Sequence, residues 1–474
     1  MEWLPEGHLA YFVLDAVEAL DLSAIEDAIQ AKDGRGERPY SPPMMMALLV
    51  YAYAVGLFSS RRIARATYED VAFRVLAGGE HPHFTTVNQF RLDHREALAG
   101  LFVQVLRLCK RAGLVKLGHV AFDGTKVLAN ASKHKAMSYK RMQEDEKRLE
   151  AEVKTLLAKA DEADCAEDAQ YGPGQVPEDL PQELQRREAR LAKIREAKAA
   201  LEKEAAEARA AELREHAGVL REKAAGETVT PGKRKEAATR ARKAEEQARA
   251  LDHKDDDDGT SGGSAAEDLP HHRVQTTPDG TPKPKAQRNF TDGDSRIMVK
   301  GGEYVQGYNA QAAVDAEAQI IIAVTVTNEP TDVEHLPAMI EEVRANCGNA
   351  PAVATADSGY FSRQNAAVCA QRGVDAYIST GRDELNTAAG DEGVTPAQRA
   401  RKAMQEKLAS PSGKAIYARR KCIVEPAFGQ IKQARGFRRF SFRGIAAVRA
   451  EWSLVCATHN LLKLFRCGAT VAPA

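Results

Sequence analysis

At 474 residues the chain has material for two or three domains with a sizeable core. Lys+Arg and Asp+Glu both number 67, which excludes a globally basic or acidic protein and leaves only the distribution of charge to inform. No apolar run approaches the roughly 18 residues of a membrane span, and the N-terminus lacks a signal-peptide pattern. Seven cysteines are scattered without CxxC pairs or zinc-spaced histidines, so reduced thiols in a cytoplasmic, membrane-free protein are expected.

Residues 1–115 read as helical throughout. Residues 44–57 (MMMALLVYAYAVGL) are apolar on all sides, marking a central buried helix started by Ser41, Pro42 and Pro43. Ser59 and Ser60 precede a basic helix over 61–69. Thr85 and Thr86 are expected to cap another over 87–98, which carries Asn88, Gln89 and Arg91. A short capped helix with Asn, Gln and Arg suits major-groove reading or phosphate contact, and equally suits a solvated helix of a small bundle.

Residues 116–137 change character. His119 to Phe122 make a short apolar strand, Asp123 follows it, and residues 126–128 extend it beyond Gly124 and Thr125. An Asp at a buried strand end is costly without a partner such as a metal, although Asp-Gly is also a common turn. Residues 138–251 are rich in Ala, Glu, Lys and Arg with leucines recurring at seven, which predicts two or three long helices forming a coiled-coil hairpin, broken at 171–181. Residues 252–282 follow as a flexible linker. Its acidic start, 252–266 (DHKDDDDGTSGGSAA), is either an epitope tag with a Gly/Ser spacer or a natural linker of that composition.

From 283 onward the pattern is α/β. Residues 307–315 and 319–328 form a β-hairpin, 335–346 a helix, and 352–356 a buried strand ending at Asp357. A helix over 362–372 and a strand over 374–379 come next, then a polar connection over 383–410, and 447–465 make a final amphipathic helix. Asp292 and Asp294 read as a turn at the insert's exit, and His335 as a helix N-terminal residue rather than a ligand.

Residues 414–444 (KAIYARRKCIVEPAFGQIKQARGFRRFSFRG) hold nine Lys or Arg and one acid, Glu425. On a helix, Tyr417, Lys421, Glu425 and Lys432 share one face. A carboxylate that binds Mg²⁺ beside phosphates wants such cationic neighbours, whereas an isolated segment of this kind is more often a basic surface helix with one ion pair. Pro426 predicts a kink or a helix start. Without the insert, the order of strands and helices is that of an RNase H-like α/β fold, with Asp123 and Asp357 at strand ends and Glu425 on a later helix.

Three motifs, AFDGTK with Asp123, ATADSGYF with Asp357 and YARRKCIVEPAFGQIK with Glu425, resemble those of DDE transposases of bacterial insertion sequences. Tyr417, Arg420, Glu425 and Lys432 resemble the Tyr–Arg–Glu–Lys signature of that superfamily. Arg420 lies one residue farther from Glu425 than in the commonest form, so Lys421 is the other candidate for the Arg role. NFTDGDSRIM, GYNAQAAVD and SPPMMMALLVYAYAVG add to the likeness, which covers all but the coiled coil and linker.

The resemblance implies an all-α N-terminal DNA-binding domain (1–115) and an RNase H-like catalytic domain (116–137 and 283–474) interrupted by the helical insertion (138–251). It implies two Mg²⁺ or Mn²⁺ ions held by Asp123, Asp357 and Glu425, in a nucleoid-associated homodimer acting on double-stranded DNA, both terminal inverted repeats and target. Tyr417, Arg420, Lys421, Lys432, Arg435, Arg438, Arg439 and Arg443 are expected along the DNA backbone, with Phe437, Phe440 and Phe442 interleaved as packing or stacking groups. Gly429 would permit close approach of DNA. A nuclease of the same fold without strand transfer, and a non-catalytic DNA-binding derivative, are the alternatives.

Overall fold

The structure, a computed structural model, describes residues 3–31, 39–171, 179–225, 230–252, 273–381 and 395–469. Helices α1 (Leu9–Glu18), α2 (Ser23–Gln30), α3 (Pro42–Ala54), α4 (Ser60–Glu69), α5 (Val71–Leu76), α6 (Phe84–Asp93) and α7 (Arg95–Arg111) precede strand β1 (His119–Leu128). Then come β2 (Ala136–Ser138), α8 (Tyr139–Tyr171), α9 (Asp179–Ala225), α10 (Pro231–Asp252) and β3 (Gln287–Asn289). Strands β4 (Arg296–Lys300), β5 (Glu303–Asp315) and β6 (Ile321–Thr327) lead to α11 (Leu336–Cys347), β7 (Val353–Ala356), α12 (Arg363–Gln371) and β8 (Asp375–Ile378). The chain closes with α13 (Pro396–Ala409), α14 (Pro411–Gly429) and α15 (Ile445–Arg466). Two compact units result, Met1–Asn130 with Ile297–Ala474, and Ala131–Arg296.

In the first unit the strands run β4-β5-β1-β7-β8, with β6 also paired to β5. β5 is antiparallel to both β1 and β6, whereas β1, β7 and β8 are parallel. The nearly continuous burial of β6 and β7, threonines included, fits strands covered on both faces. α15 lies against β6 with a polar lock: Asn460 accepts from Ile321 N at 2.9 Å and donates to Ile321 O at 2.8 Å. Trp452 Nε1 donates to Gln311 O at 3.0 Å.

The helices of residues 1–115 do not form a compact unit apart from the sheet. α3 is buried over ten consecutive residues, and α7 and α3 both pack on α15. Rings join the same parts: Phe58 stacks edge-on to Phe437 at 5.0 Å and Phe12 meets Phe465 at 5.3 Å. The helix expected over 87–98 is also different. It starts at Phe84, where His83 rather than a threonine accepts from Thr85 N, and it stops at Asp93.

The second unit is wider than the insertion read from the heptads. α9 pairs with α8 around Leu149, Leu191, Ile194 and Leu201, and with α10 around Leu213, Leu220 and Ala244. Arg187–Glu152 (2.8 Å) and Lys198–Glu146 (2.8 Å) bridge α8 to α9. β2 and β3 form a two-stranded ladder, and Val274 is buried in the α8–α9 core. Residues near 274 therefore belong to this unit and not to a linker; 253–272, with most of the acidic stretch, lie outside the described residues. So do 172–178, within the expected break, and 382–394, which take in the first part of the polar connection.

Candidate active site

Asp123 sits inside β1 and not at its end, because β1 runs on to Leu128 beside β5. Its parallel partner is shorter. The β1–β7 ladder stops at Phe122 opposite Ala356, so the next residues, Asp123 and Asp357, emerge side by side where β7 ends. A strand end of this kind in an open sheet is where ligand-binding groups gather.

Both carboxylates are held by local backbone. Asp123 Oδ1 accepts from Gly124 N at 2.9 Å, and Asp357 caps the 3-10 turn Ser358–Tyr360 through Gly359 N at 2.9 Å. The second oxygens share one cation: Arg420 Nη2 is 2.9 Å from Asp123 Oδ2 and 4.0 Å from Asp357 Oδ2. Burial pushes the Asp123 carboxyl up to about 6; Arg420 opposes that shift, and Asp357 and Asp332 add to it.

The opposite face of β1 carries a supporting network. Asp332 Oδ1 accepts from Asn309 Nδ2 and Gln311 Nε2, each at 2.6 Å, and Lys126 Nζ lies 3.6 Å away. Tyr360, buried, donates to the side-chain oxygen of Gln311. Gly124 is required by this arrangement: a Cβ there would lie 2.4 Å from Gln311 Nε2 and 2.6 Å from Asp332 Oδ1. A Cβ at Gly359 would lie 3.1 Å from Asp357 Oδ1 and 3.2 Å from Asp332 Oδ2, so Asp332 reaches under the Asp357 turn. The sequence reading missed Asp332 as a site residue. Its only local signal was a cluster of acids before α11, and its partners arrive from β1 and β5. His335 is the N-cap residue of α11, and burial lowers its pKa to about 4.

α14 delivers Arg420 on its buried face, along with Ile423, Val424 and Ala427. Lys421 is exposed, so Arg420 is the one of the two that meets the carboxylates. Glu425 is exposed on the same helix, and Tyr417 is half-buried. Among the described residues no group of three or more His, Cys, Asp or Glu could hold a metal ion, so Asp123 and Asp357 come together without Glu425. Pro426 sits within α14 without ending it. Its missing N–H would orphan the carbonyl of Cys422, and Gln319 Nε2 fills that place at 2.8 Å. The helix then widens into a π-turn over Gln430–Ala434.

That turn brings Lys432 to Thr125 Oγ1, and burial with nearby Lys300 lowers Lys432 to about 8. Beyond it, Leu128 N donates to Arg438 O (3.1 Å) and Phe440 N to Leu128 O (2.9 Å), which fastens residues 438–440 to the end of β1. Arg438, Arg439 and Arg443 are exposed there. A Cβ at Gly429 would meet nothing within 4 Å.

Several expected DNA contacts lie inside the protein instead. Arg435 is 7 % exposed and donates to Val455 O (3.1 Å) and Thr458 Oγ1 (2.7 Å). Arg91 is 2 % exposed and donates to Tyr53 Oη (2.9 Å), Phe58 O (3.0 Å) and Asn88 Oδ1 (3.2 Å). Asn88 is thereby engaged internally, and Gln89 is exposed with Asp93 at 2.5 Å. Phe437, Phe440 and Phe442 are buried packing groups and not stacking platforms.

The Transposase DDE domain family matches residues 272–461, and the Transposase domain (DUF772) family matches residues 1–93. The chain belongs to the DDE transposases of insertion-sequence type. This transposase is accordingly an enzyme of DNA transposition, and its family implies DNA substrates. No curated protein and no solved structure matches the transposase chain. None of its described helices is long and apolar enough to cross a membrane.

Proposed function

We propose that this transposase binds the terminal inverted repeats of its element, cleaves phosphodiester bonds there and joins the ends to target DNA. The observation that carries the reading is the pair Asp123–Asp357 at the β1/β7 end, bridged by Arg420. The antiparallel run β6-β5-β1 followed by parallel β7 and β8 supports an RNase H-like sheet beneath that pair.

Hard carboxylate oxygens around a high-pKa Asp fit Mg²⁺ or Mn²⁺, since a divalent ion supplies the compensation that Arg420 gives alone. Asp123 and Asp357 would hold the first such ion, and a second would require Glu425 to be brought to them from its exposed position on α14. The chemistry such ions would supply is activation of the attacking hydroxyl or water and stabilisation of the leaving oxygen. The chain's own residues supply the rest. Asp332, through Asn309, Gln311 and Lys126, fixes the strand that carries Asp123. Lys432, Arg438, Arg439 and Arg443, with Tyr417 and Lys421, hold the phosphate backbone by charge and hydrogen bonds.

Asp357→Asn tests this directly, because it keeps shape while removing one metal-binding charge. With Mg²⁺, cleavage and joined products should vanish while DNA binding persists. Cleavage at the parental rate would remove Asp357 from the catalytic set, and no cleavage by the parent itself would favour the non-catalytic reading. Cleavage without joined products by the parent enzyme, on supercoiled target, would favour the nuclease.

A further inference from the structure

Within the unit Ala131–Arg296 lies a cleft of about 820 Å³, walled on one side by α9 and on the other by the β2–β3 ladder and the turn after it. Six Lys and Arg side chains and His134 line it against a single acid, Glu196. Arg186, Arg190 and Lys193 recur at four and three along α9, so they form one stripe. Arg288 faces the cleft from the ladder, and Lys135 from the turn just before β2.

The charges are not spent on internal ion pairs alone. Arg288 is bound to Glu204 at 3.1 Å, and Arg141 lies 4.0 Å from Asp145. Lys135, Arg190 and Lys193 are exposed and have no carboxylate partner among the described residues. A helical hairpin that needed only solubility would intersperse both signs here, as α8 and α9 do where Glu146 and Glu150 meet Arg195 and Lys198. One aromatic, Phe290, stands 36 % exposed in the cleft wall, where water alone gives it no partner.

We propose that this cleft is a second DNA-binding site, which takes a stretch of duplex phosphate backbone along the α9 stripe with Phe290 against the sugars. The inference rests on the transposase reading above and extends it to the insertion. A polyanion is the occupant that a concave wall of one-signed cations selects, where Lys135, Arg190 and Lys193 are exposed and clear of the described carboxylates. Each engaged cation releases about one counterion, so the site registers in the salt dependence of binding and not only in affinity.

The test uses the full chain and a duplex of arbitrary sequence, titrated by fluorescence anisotropy over a KCl series. Lys135→Gln, Arg190→Gln and Lys193→Gln together should lower the slope of log K against log[salt] by roughly two to three units, about 0.9 per lost contact. Ala189→Glu, at an exposed position in the cleft wall, removes nothing and adds one anion, so it should weaken binding while far-UV circular dichroism stays parental. Parental slope and affinity in both variants would overturn the proposal, whatever happens on a single strand of equal length. If the parent itself failed to bind the duplex, the transposase reading would fall, which is a different result from parental binding by the cleft variants.

Discussion

Asp123 is a carboxylate kept partly protonated by its surroundings, and this makes the metal-free enzyme pH-sensitive. Its folded pKa of about 6 stands above the ordinary value near 3.9. Between about pH 4 and 6 the folded state therefore binds more protons than the unfolded state, and stability falls as pH rises. Above pH 6 the penalty is complete, with a ceiling of about 3 kcal/mol. In EDTA, Asp123→Asn should match the parent near pH 4 and melt higher than it at pH 8. A parental slope in the variant would remove Asp123 as the source. Gly124, one residue on, makes the same point by sterics. Gly124→Ala drives a methyl into Gln311 and Asp332, so a loss of about 1–3 kcal/mol is expected, with cleavage reduced at temperatures where the variant stays folded.

Arg91 shows what a single element cannot reveal about itself. α6 displays Asn88, Gln89 and Arg91 in a polar pattern that suits DNA, yet Arg91 points inward to Tyr53 on α3, and Tyr53 Oη in turn donates to Glu451 on α15 at 3.1 Å. Burial raises the Glu451 carboxyl, Arg91 counters it, and the Phe442 ring lies 4.8 Å from the guanidinium. Removing one member of such a network leaves buried charge uncompensated. Arg91→Ala should cost about 3 kcal/mol in urea unfolding, while its salt slope for DNA binding stays parental. A changed slope with unchanged stability would restore the groove-reading role. The same distinction explains which features were legible. β-branched runs and an Asp after an apolar strand stretch are local signals, so β6, β7 and the two aspartates could be picked out from the sequence, although Asp123 lies within β1 and Glu425, expected beside them, stays apart. Asp332, Arg91 and Arg435 take their roles from partners on distant elements, and no local spacing encodes those. Pro426 was legible as a break in hydrogen bonding, but the rescue of Cys422 O by Gln319 was not.

For the molecule as a whole, the question is which cations meet DNA and which only hold the protein together. Arg438 and Arg439 are exposed beside the end of β1, whereas Arg435, three residues earlier, is buried against α15. Like charges at neighbouring positions thus serve different ends. Neutralising Arg438 and Arg439 together should weaken binding to all sequences and reduce the salt slope by roughly two units, without a comparable loss of stability. Arg435→Gln should do the converse, lowering the unfolding temperature and leaving the slope in place, because its guanidinium bonds carbonyls and Thr458 rather than phosphate. Both variants belong in one salt series with the parent. An unchanged slope after loss of Arg438 and Arg439 would mean that these two arginines do not touch the backbone. The phosphate contacts assigned to that segment would then have to come from Arg443, Lys432, Lys421 and Tyr417.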